Sequence, residues 1–184
     1  MSELKEKIRE WAEKSEMPEL YTWDSLPDIP LYMDQIITLL GEQLCLYRRD
    51  ENDKLLTSTM INNYVKSEVI PHPQHKKYTK EQVSSILVVA MLKSVLSIQD
   101  LKTLLSDCPD AGDLYEKFQK TQDDAMAEVG GQLRFALENG DNLKLLALRL
   151  AAEAGAKRAA AERILIEIAA ENKTKQGKGK KAKS

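Results

Sequence analysis

The chain has 184 residues, with 27 Lys+Arg, 29 Asp+Glu and 2 His for a formal net charge of −2; 42% of it is hydrophobic and only 5% aromatic. That length allows one core of ordinary size with a helical appendage, the composition favours helix, and no apolar run approaches the roughly 18 residues that span a bilayer. The segment MSELKEKIREWAEK lacks the apolar stretch of a signal peptide, and Cys45 and Cys108, two and far apart, fit reduced cytoplasmic thiols rather than a disulfide framework.

Leu4, Ile8, Trp11 and Ala12 fall at i, i+4, i+7 and i+8, which predicts an amphipathic helix over 3–14. Such a helix either packs on its own domain or serves as an arm for a partner. Pro18, Pro27 and Pro30 end it. Tyr21, Trp23 and Leu26 are too apolar for free coil, so residues 17–30 are expected to lie on the body. The spacing of Ile36, Ile37, Leu39, Leu40, Gln43 and Leu44 predicts a helix from about Leu31 to Leu46, followed by a charged connection from Tyr47 to Asp53.

Thr57, Ser58 and Thr59 supply hydroxyl caps for a short helix over about Ser58–Ser67. Met60, Ile61, Tyr64 and Val65 are its inward positions, and Thr59, Asn62, Asn63 and Lys66 fall mostly on the other face. After the turn with Pro71 and Pro73, Val69-Ile70 and Lys76-Lys77-Tyr78 are the candidate strands of a minimal β wing. Thr79 caps the next helix, with Glu81 two positions on. Ile86 to Leu92 are seven apolar residues in a row, and a helix apolar on every side is a core helix, so the other elements are expected to pack around 83–95. Ser97 caps a further short helix, Ile98 to Leu105.

Pro109-Asp110 opens a helix with Leu114, Phe118, Ala125, Val129, Leu133, Ala136 and Leu137 on one stripe. Gly130-Gly131 interrupts it at about 1 kcal/mol per Gly against Ala, which predicts a kink or local break. Glu138-Asn139-Gly140-Asp141 joins a C-terminal glycine to an N-cap, a helix-to-helix turn. A last helix over 142–171, about 45 Å long at 1.5 Å per residue, carries Leu143, Leu146, Leu150, Ala154, Ala161, Leu165 and Ile168 along one side. It is longer than a small core covers, so its Ile164–Ile168 end requires another helix of the chain or a second subunit. Ala147, Ala151, Ala154 and Ala161 are a small-residue stripe that an intramolecular hairpin would satisfy alone.

Charge is unevenly shared. Residues 173–184 hold six Lys and no acid, leaving 21 Lys+Arg against 29 Asp+Glu, or −8, for the rest. Against that acidic background residues 54–80 carry five Lys, one Glu and both His. The tail is expected to be disordered, adding sequence-independent phosphate affinity or merely keeping an Ala-rich helix soluble.

The stretch Met60-Ile61-Asn62-Asn63-Tyr64-Val65-Lys66-Ser67-Glu68-Val69-Ile70-Pro71, the wing end Lys77-Tyr78-Thr79 and the run from Leu92 to Leu105 follow one another at the spacing seen in MerR-type regulators. The chain resembles their winged helix-turn-helix DNA-binding domain. It departs from the pattern at Asn62, where the family has an Arg that touches DNA phosphate, at Glu68, where it has a left-handed glycine, and in a longer charged loop before the turn. The resemblance implies duplex DNA binding and pairing of two chains through a helix beyond the wing. More closely, Leu26 to Gln35 and Leu56 to Tyr64 are similar to a family of uncharacterised Firmicute proteins in the domain-of-unknown-function series, the eighteen-thirty-six family, which names relatives and implies no activity.

Asn side chains suit adenine edges, while Ser and Thr hydroxyls, Lys and a helix N-terminus suit phosphate. Ser58, Thr59, Asn62, Asn63 and Lys66 are the candidate DNA contacts, with Lys76 and Lys77 as phosphate contacts of the wing. The same residue types also describe a solvated polar helix face. His72 and His75 flank Pro73-Gln74 with no acid or Cys cluster nearby, so no metal site is expected. No phosphate-cradling glycine loop, nucleophile elbow or H-E-x-x-H occurs, so neither catalytic residues nor a cofactor are expected. The expectation is an all-α cytoplasmic protein: an N-terminal helix and linker over 1–26, a MerR-like winged helix-turn-helix over 27–107 and a dimerising helical hairpin over 108–172. A disordered basic tail over 173–184 completes it. The expected role is a non-enzymatic homodimeric transcriptional regulator that reads double-stranded DNA. The competing role is a protein-interaction adaptor built on the same helices.

Overall fold

The structure, a computed structural model, describes residues 3–17, 20–50, 52–106 and 110–181. Pro18, Cys108, Pro109 and the end of the tail therefore lie outside the described residues. The elements are α1 (Glu3–Ser15), β1 (Leu31–Tyr32), α2 (Met33–Gln43), α3 (Ser58–Lys66), β2 (Lys77–Tyr78), α4 (Lys80–Leu92), α5 (Ile98–Leu105), α6 (Ala111–Asn139) and α7 (Leu143–Lys181), with 3-10 turns at Trp23–Ser25 and Cys45–Tyr47. The fold is mostly helical, as expected, with one two-stranded antiparallel sheet among the described residues. No helix in them is long and apolar enough to cross a membrane.

α4 is the central helix. Its Thr79 hydroxyl accepts the Gln82 N–H while the Gln82 side-chain oxygen accepts the Thr79 N–H, so both ends of the capping box close. Val83, Ile86, Leu87, Val88, Val89 and Ala90 are all buried. Ile36 and Leu40 from α2, Leu44 just past its end, Ile61 and Val65 from α3 and Leu101 from α5 join them in one cluster, which also takes in Leu20, Tyr115 and Leu165. The core therefore draws on the chain from Leu20 to Leu165.

Residues 20–30 lie on the body as expected. Leu20 and Leu26 are buried, the Tyr21 N–H donates to the Gln43 side-chain oxygen, and the Tyr115 hydroxyl of α6 donates to the Tyr21 carbonyl at 2.7 Å. Burial holds the Tyr115 hydroxyl pKa far above the usual phenol range. Tyr115 was not on the apolar stripe read from the sequence, yet it anchors α6. Ala125, which was on that stripe, is exposed. α1 lies along α6 and packs on its own chain: Ala12 is buried, Trp11 Nε1 donates to the Leu46 carbonyl at 3.4 Å, and Arg134 pairs with Glu16 at 2.9 Å.

Several expectations are corrected. Leu31 and Tyr32 are a strand rather than the first turn of a helix, because they pair with Tyr78 and Lys77. Val69 and Ile70 are not wing strands. Their N–H groups both donate to the Tyr64 carbonyl and their side chains are buried, so they finish the α3 terminus. α6 runs unbroken through Gly130-Gly131, since Gly130 lies where α1 crosses: a Cβ there would sit 2.8 Å from the Ala12 carbonyl oxygen.

α6 ends at Gly140 in the left-handed region (φ 71°), as its turn signal predicts. Beyond that turn α6 and α7 part: α6 rests on α1 and α4, while α7 packs mainly on α5. Their hairpin is thus open, and Ala147, Ala151 and Ala154 remain exposed. α7 also outruns its predicted end. At 39 residues it is about 58 Å long, and residues 173–181 continue it as helix, since extending a helix already formed adds one hydrogen bond per residue fixed. Leu146 is buried near its start and Leu165 just past its middle, whereas 151–160 are exposed on every side; Ile164 and Ile168 are exposed too.

Candidate functional site

α3 begins at Thr57, whose hydroxyl accepts the Met60 N–H at 3.2 Å. Ile61, Tyr64 and Val65 are buried, and their spacing fixes the rotation of the helix. Ser58, Thr59, Asn62, Asn63 and Lys66 are consequently exposed. Among the described residues none of these five side chains has a hydrogen-bond or ion-pair partner, so their donors and acceptors face outward uncommitted to any of those residues.

α3 ends in a Schellman motif. The Val69 N–H donates to the Tyr64 carbonyl and the Glu68 N–H to the Val65 carbonyl, both at 3.0 Å, with Glu68 at φ 56°. A glycine usually occupies that position because a Cβ is strained there. The Glu68 carboxylate meets Lys102 of α5 at 2.7 Å, and that hydrogen bond, then the Lys102 charge, holds its pKa below the usual carboxylate range.

The segment after α3 is fastened at both ends by one side chain. Gln82, buried at the start of α4, donates through Nε2 to the carbonyls of Pro71 at 2.9 Å and His72 at 3.3 Å, while its oxygen accepts the Thr79 N–H at 2.9 Å. Between these anchors the Lys77 N–H donates to the Gln74 carbonyl at 2.9 Å, and His75 (φ 51°) and Lys76 (φ 62°) form a two-residue tip with both residues left-handed. This is the geometry of a type I′ hairpin turn, normally made by Asn-Gly. Lys76 is exposed; Lys77 is half-buried, with Nζ 4.8 Å above the half-exposed Tyr32 ring, which the β1–β2 pairing sets beside it.

The tip makes a measurable prediction. A left-handed backbone costs a residue with a Cβ about 1–2 kcal/mol, and glycine returns about 0.5–1 kcal/mol of that as unfolded-chain entropy. Lys76→Gly is therefore expected to raise stability in urea unfolding by about 0.5–1 kcal/mol. Unchanged or lowered stability would show that the tip is not strained.

Not every lysine of the basic stretch is available. Lys80 Nζ pairs with Asp28 at 2.7 Å and lies 5.0 Å from the Trp23 ring centre, so it pins the linker to α4. Lys54, Lys66 and Lys76 stay exposed, with Lys77 beside them in sequence but half covered. The structure thus exposes six of the seven candidates and half-buries Lys77. No hydrogen bond or ion pair links the α3 set to the turn; what relates them is the core beneath α3 and the Gln82 clamp. Gln82 and Tyr32 escaped the sequence reading because their roles arise from pairing across 10 or more residues, though the Thr79–Gln82 capping pattern was a visible signal for the first. Cys45 is an exposed free thiol, and no group of three or more His, Cys, Asp or Glu among the described residues stands close enough to hold a metal ion.

Residues 21–121 match the model of a family described as Domain of unknown function (DUF1836). The matched span runs from the linker through the Tyr115 anchor into α6. No curated protein and no solved structure matches the chain.

Proposed function

From a chain that belongs to the DUF1836 family, we propose that its α3 and basic turn form a MerR-like winged helix-turn-helix that binds duplex DNA. In this reading the protein is a non-enzymatic, homodimeric transcriptional regulator acting in the cytoplasm. α3 enters the major groove, where Asn62 and Asn63 offer the donor–acceptor pair that suits adenine. Ser58, Thr59 and Lys66 reach phosphate, and Lys76 and Lys77 grip the backbone from the turn. The single observation that carries this reading is the outward face of α3: five polar side chains exposed together with no partner among the described residues. The departure at Asn62 fits a reader that takes its phosphate contacts from Lys66 and the turn instead. At Glu68 the left-handed conformation a glycine would adopt is kept, and Lys102 offsets the added charge next to the groove.

The acidic remainder of the chain favours the competing role, a protein-interaction adaptor, because net negative charge repels DNA. Fluorescence anisotropy separates the two. Mixed duplex at about 50 mM salt is expected to bind, with affinity falling steeply as salt rises. Lys76→Glu combined with Lys77→Glu is expected to weaken binding on every sequence. Asn62→Ala or Asn63→Ala is expected to remove about 1–3 kcal/mol of discrimination at a base and little general affinity. No binding to any duplex at that salt would overturn the DNA reading in favour of the adaptor.

A further inference from the structure

The intramolecular packing of α7 uses one side of the helix only. Leu146 and Leu165 are buried and Leu143, Leu150 and Ala161 half-buried, and at 3.6 residues per turn these five share a single sector. The opposite sector carries Leu145, Leu148, Ala152, Gly155, Ala159 and Ile166, all exposed: Leu145 and Leu148 by 63% and 65%, Ile166 by 54%. They follow one another at steps of three and four residues, broken once where Glu162 falls, and a Cβ added at Gly155 would meet nothing.

The pattern is complementary to its own reverse. Large residues stand at both ends and small ones in the middle, centred between Gly155 and Ala156, so an antiparallel copy sets Leu145 against Ile166 and Ala152 against Ala159. The charges that edge the stripe agree. Lys144 and Arg149, the latter donating to Gln132 of α6 at 3.1 Å, flank its first half, and Glu162 and Glu167 flank its second, with Arg163 between them. Antiparallel pairing therefore brings basic edges onto acidic ones, and parallel pairing would set like charges together. The two acids now pair along their own helix with Arg158 at 2.8 Å and Arg163 at 2.7 Å, arrangements that an approaching cation can share. Arg163 borders the stripe and can lay its aliphatic stem across Leu148 of the facing helix.

We infer that a second copy of this chain covers the outward stripe of α7, with the two helices antiparallel and the two-fold axis beside Gly155 and Ala156. This interface deepens the dimeric reading above and rests on it for the identity of the covering molecule. The small central residues let the helix axes approach to about 8 Å, the near end of helix packing distances.

The full chain carrying Cys45→Ser and Cys108→Ser is the background for the test. Ala156→Cys, next to the axis, is expected to give a disulfide-linked dimer on oxidation, since its Cβ would fall within the roughly 3.5–4.5 Å that a disulfide needs. Ala154→Cys, turned away on the same stretch of helix, is expected to dimerise without forming the disulfide cross-link. In light scattering at tens of micromolar, the unaltered chain is expected at about twice its 20.8 kDa mass. One variant with Lys144→Glu and Arg149→Glu, and another with Glu162→Lys and Glu167→Lys, are each expected to dimerise about tenfold to a hundredfold more weakly. Mixed in equal amounts, they are expected to form a heterodimer, with helix content by circular dichroism unchanged throughout. A monomeric unaltered chain, equal cross-linking at 154 and 156, or two charge variants that dimerise separately as well as together would each overturn the interface. Cross-linking at 156 without DNA binding would remove only the regulator reading, and DNA binding by a monomer would remove only the interface.

Discussion

Leu87→Ala is expected to destabilise the protein by about 2–5 kcal/mol, the range for truncating a fully buried leucine. Leu87 has no exposed surface and sits in α4, within the core cluster that also takes in side chains of α2, α3, α5 and α6. With helices on all sides the cavity cannot collapse easily, which places the cost toward the upper part of that range. For a chain of this size the melting temperature should fall by roughly 4–20 °C. Domains of this kind are stable by about 5–15 kcal/mol, so one such change removes much of the margin. Met91→Ala is expected to cost less, because Met91 is only half-buried at the end of the helix. Thermal melts followed by circular dichroism measure both; an unchanged Leu87→Ala melt would show that α4 is not the core.

Gly130 and Gly131 are expected to respond in opposite directions. Each sits inside a helix, where replacement by Ala gains about 1 kcal/mol of propensity. At Gly131 nothing lies within 4 Å of the added Cβ, so Gly131→Ala is expected to stabilise by about that amount. At Gly130 the Cβ would meet the Ala12 carbonyl oxygen at 2.8 Å and Glu16 Cγ at 2.9 Å. The first of these is backbone and cannot swing aside, so α1 must shift. Gly130→Val adds further bulk and β-branching at the same crossing, and is expected to cost about 2–3 kcal/mol through overpacking. Urea unfolding of the three variants checks the sign. A stabilised Gly130→Ala would show that α1 does not press on α6 there.

Much of the candidate site was legible. The hydroxyl cap at Thr57 and the inward positions Ile61, Tyr64 and Val65 determined which face of α3 looks outward, because capping and 3.6-residue periodicity are properties of a few neighbouring residues. The caps at Thr79 and Ser97, the left-handed Gly140 and the wholly apolar turns of α4 were readable for the same reason. The turn was legible only in part. Its lysines were visible, but the strand that pairs with it, Leu31–Tyr32, lies some 45 residues earlier and reads locally as helix. The left-handed conformations at Glu68, His75 and Lys76 carry no sequence signal, since the usual glycine or asparagine is absent; hydrogen bonds from the neighbouring backbone impose them.

The order and type of the helices, the central place of α4 and the outward face of α3 were thus determined by sequence alone, through local propensity, capping and periodicity. Tertiary structure decided which segments meet. It made Gly130 a contact point rather than a break, chose Leu31–Tyr32 over Val69–Ile70 as the partner of β2, docked α6 through Tyr115, and left the outer stripe of α7 bare. The physical reason is one of scale. A local preference amounts to about 1 kcal/mol per residue, whereas burying a side chain against a distant helix is worth about 1.5–3 kcal/mol. Where the two compete, the distant partner prevails, and its identity is not written in the residues nearby.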